Sequence, residues 1–403
     1  MSNKMKLLII VASFPKPPNL MNLSPWALEQ AKELTKLIDC TVLSPTPNLW
    51  LPKVFNRIMP SKIKKWSNVE KKHDFGGFTA LYPRVSIRSY TRKARFGSST
   101  SVADSWLKIV EKSVNVKNFD IILAHHPVVE GLIAKKLKEK YGIPFITIEH
   151  SHEEPFNGND EYLQNYSEVA SSADAFICPS KQLLNLILSK YSVKNPIVIY
   201  NGGAQPIEGM KKIDLNGRIK FISVGVLAEY KNHRTLIKAF DDPILRKKAF
   251  LEIIGDGPLR REYEELINSL KLQNVVRLSG NIPHNLVFNE LDSSHVFALI
   301  SEEPFCVAAV EAMSRGLPIV VSELTGIQEL ITDGMQGFVI RDESRLDSKY
   351  VSSVLKNFVS DPQIIQEMSD AALKTSKNLT WEENAKNMFQ IIENILGRNS
   401  DER

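Results

Sequence analysis

The chain has 403 residues, of which 43% are hydrophobic and 24% are charged, so a disordered or fibrous protein is excluded. At roughly 100 to 200 residues per domain, this length predicts two domains, or at most three. The three cysteines, Cys40, Cys178 and Cys306, lie far apart without paired spacing. This excludes a disulfide framework or a thiolate zinc site and indicates a reducing compartment.

The net charge of +5 conceals an asymmetry between the two halves of the chain. Residues 1–200 contain 27 Lys and Arg against 17 Asp and Glu, whereas residues 201–403 contain 24 against 29. Halves of opposite sign suggest two domains that meet different partners. No apolar run approaches the roughly 18 residues that span a bilayer, and we interpret the apolar start of the chain as a buried first strand rather than a signal peptide.

Short apolar runs alternate with segments of helical period along the first half. The predicted strands are 6–13, 41–44, 120–124, 144–149, 175–178 and 197–200. The predicted helices between them are 25–38, 101–114, 128–141, 161–171 and 181–191. Such alternation predicts a parallel sheet with helices on both faces.

The same alternation begins again after a polar, glycine-containing stretch at 203–217. The predicted strands are 219–224, 250–254, 275–278, 296–300 and 318–321, and the predicted helices are 233–240, 258–270, 283–291, 307–315 and 381–396. We therefore expect a first Rossmann-like domain over 1–205, a second over 206–380, and a last helix in 381–403 that returns to the first domain. The predicted fold class is α/β, with two doubly wound parallel-sheet domains facing across a cleft. Function is then expected in the loops after the strands.

One stretch of the second half places carboxylates in an otherwise apolar helix. Residues 303–311 read Glu-Pro-Phe-Cys-Val-Ala-Ala-Val-Glu. Glu303 would lie at the helix N-terminus, where N–H groups and the positive dipole end suit negative or hydroxyl-rich ligands. Glu311 lies in a segment without an evident exposed face, so it should need a partner. The alternative is that Glu303 merely caps the helix and Glu311 is solvated.

Five segments of the second half resemble, in order and spacing, the retaining nucleotide-sugar glycosyltransferases of family 4, which have the two-domain GT-B fold. The segments are SVGVLAEYKN at 223–232, IIGDGP at 253–258, VRLSG at 276–280, the stretch 303–311, and GIQELITDG at 326–334. The resemblance covers nearly the whole chain and is strongest over 221–338. No single segment is decisive, but their common order and spacing are highly specific.

The resemblance implies a role for each matching position. Glu311 would hold the ribose hydroxyls of the nucleotide, and Glu303 would hold the donor sugar. Lys231 would neutralise the diphosphate as its bond to the sugar breaks. The donor diphosphate would also meet the backbone at the start of the helix, at Phe305, Cys306 and Val307. A glycine turn would let the nucleotide approach the backbone closely, and it is formed by Gly255, Asp256 and Gly257. Gly225, in the segment that contains Lys231, would also lie beside the donor.

Polar residues after strands of the first half are candidates for catalysis, in the case of His150, and for the acceptor side, in the case of His125. His150 follows a predicted strand and matches the histidine that family members direct at the donor sugar. His125 matches a second histidine position near the cleft. Taken alone, either histidine is more often a structural residue than a catalyst. The loop after the first strand lacks the family's usual glycine pair and reads Pro-Lys-Pro-Pro-Asn-Leu-Met-Asn-Leu-Ser, ending at Ser24, which we place on the acceptor side.

Three further positions depart from the family pattern. Val226 stands where a phosphate-binding arginine is usual, and Pro304 and Cys306 replace glycines beside Glu303. These departures suggest either a modified way of holding the donor or a loss of activity.

Basic and large apolar residues are mixed between residues 49 and 95. The basic residues include Lys53, Arg57, Lys62, Lys64 and Lys65, followed by others at 84–95. This mixture suits an anionic membrane surface or a lipid-phosphate acceptor, and the alternative is a solvated charged loop. Nucleic acid is not expected because no binding module is evident.

We therefore expect a cytoplasmic enzyme that needs no metal and no cofactor, located at the inner face of the cell membrane if the basic region binds lipid. It would transfer a hexose from a nucleotide diphosphate sugar, with a UDP-sugar favoured and a GDP-sugar as the alternative donor. The acceptor would be a hydroxyl of a cell-surface polysaccharide or a lipid-linked glycan. A catalytically silent GT-B protein that binds a glycan or partner is the second hypothesis, and a phosphorylase or sugar-nucleotide epimerase is the third.

Overall fold

The computed structural model describes residues 4–18, 20, 21, 23–48, 66, 68–151, 154–209 and 217–397. The chain divides into two compact units, one comprising Met1–Tyr200 with Glu382–Arg403 and the other Asn201–Trp381. Among the described residues, no helix has both the length and the apolar character needed to cross a membrane.

The first unit is built on a mostly parallel sheet. Its strands, over the described residues, are β1 (Lys6–Ile10), β2 (Asp39–Leu43), β3 (Thr46–Asn48), β4 (Lys72–Asp74), β5 (Thr79–Leu81), β6 (Arg84–Ser86), β7 (Ile121–His125), β8 (Phe145–Ile148), β9 (Ala175–Cys178) and β10 (Pro196–Val198). Eight of them form one sheet in the order β10-β9-β8-β7-β1-β2-β5-β4, in which only the β4–β5 pair is antiparallel. Strands β3 and β6 form a separate parallel pair.

Helices cover both faces of this sheet. They are α1 (Pro25–Leu37), α2 (Ile87–Tyr90), α3 (Arg92–Gly97), α4 (Ser99–Ser113), α5 (Leu132–Tyr141), α6 (Glu154–Asn157), α7 (Asp160–Ser172) and α8 (Lys181–Leu188), with a 3₁₀ turn at Val116–Asn118 and a π turn at Pro127–Gly131. Successive residues of β1 point to opposite faces, so Leu7 joins one buried cluster while Leu8 joins the other with Trp106. Burial on both faces explains why this strand is a continuous apolar run.

The second unit has a wholly parallel six-stranded sheet in the order β13-β12-β11-β14-β15-β16. The strands are β11 (Ile219–Val224), β12 (Ala249–Ile254), β13 (Val276–Gly280), β14 (Val296–Leu299), β15 (Ile319–Ser322) and β16 (Gly337–Ile340). The helices are α9 (His233–Ala239), α10 (Pro243–Lys248), α11 (Arg260–Ser269), α12 (His284–Asp292), α13 (Val307–Ser314), α14 (Ser348–Ser360) and α15 (Ile364–Ser376), with 3₁₀ turns at Glu229–Lys231, Gly326–Leu330 and Asp342–Ser344.

The last helix, α16 (Trp381–Ile395), packs on the first unit's sheet. Its residues Met388 and Ile392 are fully buried in the same cluster as Leu7. Asn384, also buried, accepts a hydrogen bond from Gln30 Nε2 at 2.8 Å and donates one to the carbonyl oxygen of Tyr200 at 2.8 Å. Apolar contact and satisfied buried polar groups together hold α16 in place.

The predicted elements are present, with ends that differ by a few residues, and the expected α/β class with two parallel-sheet domains is confirmed. The sequence patterns missed the three-residue strands β3, β4, β5 and β6, because so few residues carry no readable period. They also missed β16, the short helices α2, α3, α6 and α10, and the longer helices α14 and α15. In α14 a signal was present, since the buried residues Val351, Leu355 and Phe358 follow helical spacing.

The loop after β1 contains a fully buried lysine. Lys16 Nζ donates hydrogen bonds to the carbonyl oxygens of Ala12 (3.0 Å) and Phe14 (3.3 Å) and to Ser44 Oγ (2.5 Å). These three acceptors match the three donors of an ammonium group. No described carboxylate lies within ion-pair distance of Nζ. Burial without a counter-charge lowers the pKa of Lys16 to about 7.

This pKa predicts a dependence of stability on pH. Between about pH 7 and about pH 10, the unfolded chain binds more protons at Lys16 than the folded chain does, so stability should rise with pH, by at most about 1.4 kcal/mol per pH unit. Lys16→Met should reduce this slope, as measured by urea denaturation across the range. The control Lys32→Met, at a partly exposed helical pair with Glu29, should keep the wild-type slope. An unchanged slope in Lys16→Met would show that Lys16 is protonated in both states.

Candidate functional site

Strand order determines which loops of the second unit meet. From β11 the chain moves outward to β12 on one side, whereas β14 lies on the other side. The loops that follow β11 and β14 therefore lie side by side at the carboxyl edge, where the strand order reverses and ligands of open parallel sheets bind. These two loops contain Lys231 and Glu303.

Lys231 and Glu303 form a buried ion pair. Nζ of Lys231 lies 2.6 Å from Oε2 of Glu303, and the two side chains are only 11% and 13% exposed. Ser301 Oγ donates to the other carboxylate oxygen at 2.5 Å. Burial is the largest single influence and disfavours the charged lysine, but the attraction of Glu303, its hydrogen bond and smaller contributions from neighbouring groups together raise the pKa of Lys231 above its ordinary value. The lysine is therefore a fixed positive charge.

An asparagine turns the chain directly after this lysine. Asn232 has a left-handed φ of 50°, which asparagine tolerates better than most residues. Its Oδ1 accepts a hydrogen bond from Thr235 Oγ1 at 2.7 Å, and its Nδ2 donates to the carbonyl oxygen of Arg345 at 3.0 Å. The Lys-Asn sequence thus ends the 3₁₀ turn, starts α9 and holds the lysine beside Glu303.

Glycines let two neighbouring loops approach closely. Gly255 has a φ of 137°, and a Cβ there would overlap the carbonyl oxygen of Gly225, while a Cβ on Gly257 would lie 2.7 Å from the backbone nitrogen of Leu227. Both positions therefore require glycine. Asp256, which is exposed, accepts the Gly257 N–H at 2.8 Å, and Gly225 packs against the carbon stem of Lys231.

The start of α13 adjoins the ion pair. Phe305 and Cys306 are buried and Val307 is half-buried, and the N-cap residue Cys306 makes no side-chain bond to the first turn. Burial raises the pKa of the Cys306 thiol above its ordinary value, with a further contribution from the charge of Glu303. The thiol is therefore neutral and inert, and the first-turn N–H groups have no side-chain cap.

Glu311 has a partner that the sequence patterns did not single out. It is only 7% exposed, and its Oε1 lies 2.8 Å from Nε2 of His284, the first residue of α12. An ionised carboxylate only accepts hydrogen bonds, so the imidazole donates. The available signal was the apolar setting of Glu311, which required a partner without identifying it.

The histidines of the first unit form a cluster with an aromatic ring. His125 Nδ1 lies 3.0 Å from His150 Nε2, and the Trp26 ring centroid lies 4.4 Å from that of His150. Burial, with a smaller contribution from His126, lowers the pKa of His125 to about 3. Burial, with smaller contributions from His125 and His126, holds the pKa of the half-buried His150 well below its ordinary value. Both rings are neutral at physiological pH.

A buried carboxylate shapes the backbone at His150. Oε1 of Glu149 accepts the N–H groups of His150 and Ser151, each at 2.8 Å. Ser24 stands just before α1 with a left-handed φ of 43°, and its Oγ donates to Ser13 Oγ at 2.8 Å. The structure thus brings His125 and His150 together, and Ser24 lies two residues before Trp26.

Val226 is 39% exposed in the loop that contains Gly225. Val226 stands where an arginine is usual, and its side chain carries no charge. The cation that the structure places against Glu303 is Lys231. Among the described residues, no three His, Cys, Asp or Glu side chains are grouped so as to hold a metal ion.

The buried pair predicts an asymmetric response to mutation. Lys231→Met should lower the free energy of unfolding by about 3–5 kcal/mol, because it leaves Glu303 charged and buried. Adding Glu303→Gln should recover part of that loss. As a control, Arg261→Met breaks the exposed pair with Glu265 and should leave the free energy of unfolding close to that of the wild type, because exposed pairs contribute little to stability. Chemical denaturation measures all three, and near-wild-type stability of Lys231→Met would contradict the burial of the pair.

Two family models match consecutive parts of the chain. The model described as Glycosyltransferase Family 4 matches residues 26–202, and the model described as Glycosyl transferases group 1 matches residues 208–375. An uncharacterised glycosyltransferase of Methanocaldococcus jannaschii is 23% identical over 78% of this chain and 86% of its own length. The 2-deoxystreptamine N-acetyl-D-glucosaminyltransferase of Niallia circulans is 27% identical over 54% of this chain and 62% of its own length.

Solved structures share the fold over the whole chain. Sucrose-phosphate synthase from Thermosynechococcus elongatus superposes with a TM-score of 0.78 at 16% identity and covers 98% of this chain and 100% of that chain. Anabaena HepE in complex with UDP has a TM-score of 0.68 at 15% identity and covers 97% and 100%. Two matching family models, glycosyltransferase relatives and this shared architecture lead to one conclusion: the chain belongs to the family 4 glycosyltransferases, which have the GT-B fold.

Proposed function

We propose that this glycosyltransferase moves a hexose from a nucleotide diphosphate sugar, with retention at the anomeric carbon, to a hydroxyl of a cell-surface polysaccharide or lipid-linked glycan. A UDP-sugar is the favoured donor and a GDP-sugar the alternative. The observation that carries the proposal is the buried Lys231–Glu303 pair at the carboxyl edge of the second sheet. It supplies a cation for a leaving diphosphate beside a carboxylate for sugar hydroxyls.

Lys231 supports a reaction without a metal. As the bond between the sugar and the diphosphate breaks, negative charge develops on the leaving group, and a preorganised cation lowers the barrier. The raised pKa of Lys231 keeps that charge in place at physiological pH. The start of α13, with no side-chain cap, adds N–H donors and the positive end of the helix dipole.

The remaining positions are assigned from their surroundings. The glycine turn at 255–257 lets the nucleotide approach the backbone. Glu311 is a buried carboxylate that would accept hydrogen bonds from the ribose hydroxyls. In the first unit, His150 and His125 are neutral imidazoles and would serve as hydrogen-bonding groups rather than charges, with Ser24 on the acceptor side.

The proposed chemistry needs no protein nucleophile. The acceptor oxygen attacks the anomeric carbon from the face that the diphosphate leaves, so the new bond forms with retention. The acceptor proton passes to an oxygen of the departing phosphate. Cys306 does not compete as a nucleophile, because burial keeps its thiol protonated.

The comparisons support the proposal through what related proteins bind or make. HepE of Anabaena was solved with UDP-glucose, and a relative from Salmonella typhimurium that is 31% identical over 35% of this chain is described as a putative colanic acid biosynthesis glycosyltransferase. A catalytically silent binding subunit is not favoured, because the relatives are glycosyltransferases and the ion pair is intact.

Donor binding tests the proposal directly. A panel of nucleotide diphosphate sugars should contain at least one that raises the melting temperature of the wild type by mass action. Glu311→Ala should weaken binding of that donor by about 1.5–3 kcal/mol, because it removes hydrogen bonds to a charged group. Glu265→Ala, at an exposed site on α11, should bind like the wild type. Transfer from the selected donor should yield a product with the donor's anomeric configuration by NMR. A panel in which no donor binds would refute the proposal.

Membrane contact is a separate part of the proposal, with a location at the cytoplasmic face of the membrane. The basic residues Lys62, Lys64 and Lys65 that suggest it lie outside the described residues. Replacing all three with glutamate should weaken flotation with anionic liposomes, since each lysine contributes about 1 kcal/mol near such a surface. If the wild type does not float with these liposomes at low salt, the idea is wrong.

A further inference from the structure

The contact between His284 and Glu311 joins two elements of the second unit. The residues are 27 positions apart, yet Nε2 lies 2.8 Å from Oε1. The histidine side chain is 37% exposed, whereas the glutamate side chain is 9% exposed. A histidine at the surface therefore reaches a carboxylate that is almost enclosed.

The start of α12 determines where the imidazole stands. Pro283 precedes the helix with an extended φ/ψ of −55° and 140°, and its carbonyl oxygen accepts the N–H of Leu286 at 2.9 Å. The ring of Phe288, one turn later, packs edge to face against the imidazole at 5.2 Å between centroids. Backbone and ring contacts both restrict the side chain of His284.

The hydrogen bond uses only part of the carboxylate. A carboxylate has about four lone-pair positions, and His284 occupies one of those on Oε1. Oε2 accepts no hydrogen bond from the described residues. The remaining positions are enough for two hydroxyl donors on adjacent carbons, which is the arrangement of a ribose 2′,3′-diol.

We infer that His284 is a positioning residue for the donor nucleotide: its Nε2–H holds one oxygen of Glu311 and thereby orients the carboxylate for the ribose hydroxyls. This inference rests on the proposed function, because it assigns a second residue to the same ribose contact. A carboxylate on a flexible side chain would otherwise lose rotamer entropy when the diol binds, and a charge-assisted hydrogen bond removes that cost beforehand.

The test compares nucleotides with and without the diol. Binding of UDP and GDP, and of their 2′,3′-dideoxy analogues, is measured by calorimetry for the wild type and for His284→Ala. The variant should bind the preferred diphosphate on the order of tenfold more weakly, the range of one hydrogen bond to a charged group. Its affinity for the dideoxy analogue should change less than about twofold, since that ligand does not use Glu311.

Two further variants control for structural damage. His284→Gln places an amide nitrogen near the position of Nε2 and should restore most of the lost affinity. Asn285→Ala changes an exposed neighbour on the same turn and should match the wild type with both ligands. In transfer assays, His284→Ala should raise KM for the donor and leave kcat nearly unchanged, because the ribose contact persists from ground state to transition state.

The possible outcomes separate the inference from the proposed function. If His284→Ala weakens binding of the diphosphate and of its dideoxy analogue equally, or weakens neither, the role of His284 is overturned. The wild-type protein would still bind the nucleotide in that case. A failure of His284→Gln to restore affinity would also overturn it. A wild type that binds neither nucleoside diphosphate would overturn the proposed function, and the inference with it.

Discussion

The buried ion pair between Lys231 and Glu303 is the interaction on which the site of the second unit depends. Removing two charges from water is costly, and the cost is repaid only when the geometry is close and the remaining lone pairs are used. Here the 2.6 Å contact and the hydrogen bond from Ser301 satisfy both conditions. The pair joins the loops after β11 and β14, so it fixes the backbone on both sides of the point where the strand order reverses.

The neighbouring glycines follow from the same constraint. For Lys231 to remain buried, its loop must lie close to the turn after β12, and the overlap that a Cβ would cause at Gly255 shows how little space remains. Val226 in the same loop is exposed and carries no charge. The absence of the usual arginine therefore does not disturb the buried residues of this loop. Under the proposed function, Lys231 and the start of α13 would neutralise the charge of the diphosphate.

Burial has opposite outcomes for a lysine in each unit, Lys231 in the second and Lys16 in the first. In the second unit a lysine keeps its charge because a carboxylate faces it. In the first unit burial lowers the pKa of Lys16 and of the histidines at 125 and 150, so these groups tend toward their neutral forms. The fully buried carboxylate of Glu149 in this unit binds the backbone N–H groups of His150 and Ser151. This difference is consistent with the proposal that the second unit binds the donor diphosphate and the first unit presents the hydroxyl acceptor.

The sequence by itself determined the two parallel-sheet domains, because strands buried on both faces must be continuous apolar runs and the helices between them must be amphipathic. It also indicated that Glu311 needed a partner, since an apolar helix offers a carboxylate no water. The identity of that partner, His284, and the contact of Trp26 with the histidines were decided only by tertiary structure. Both contacts join elements that are distant in the sequence. A local hydrophobic period or propensity cannot predict which side chains the strand order brings into contact.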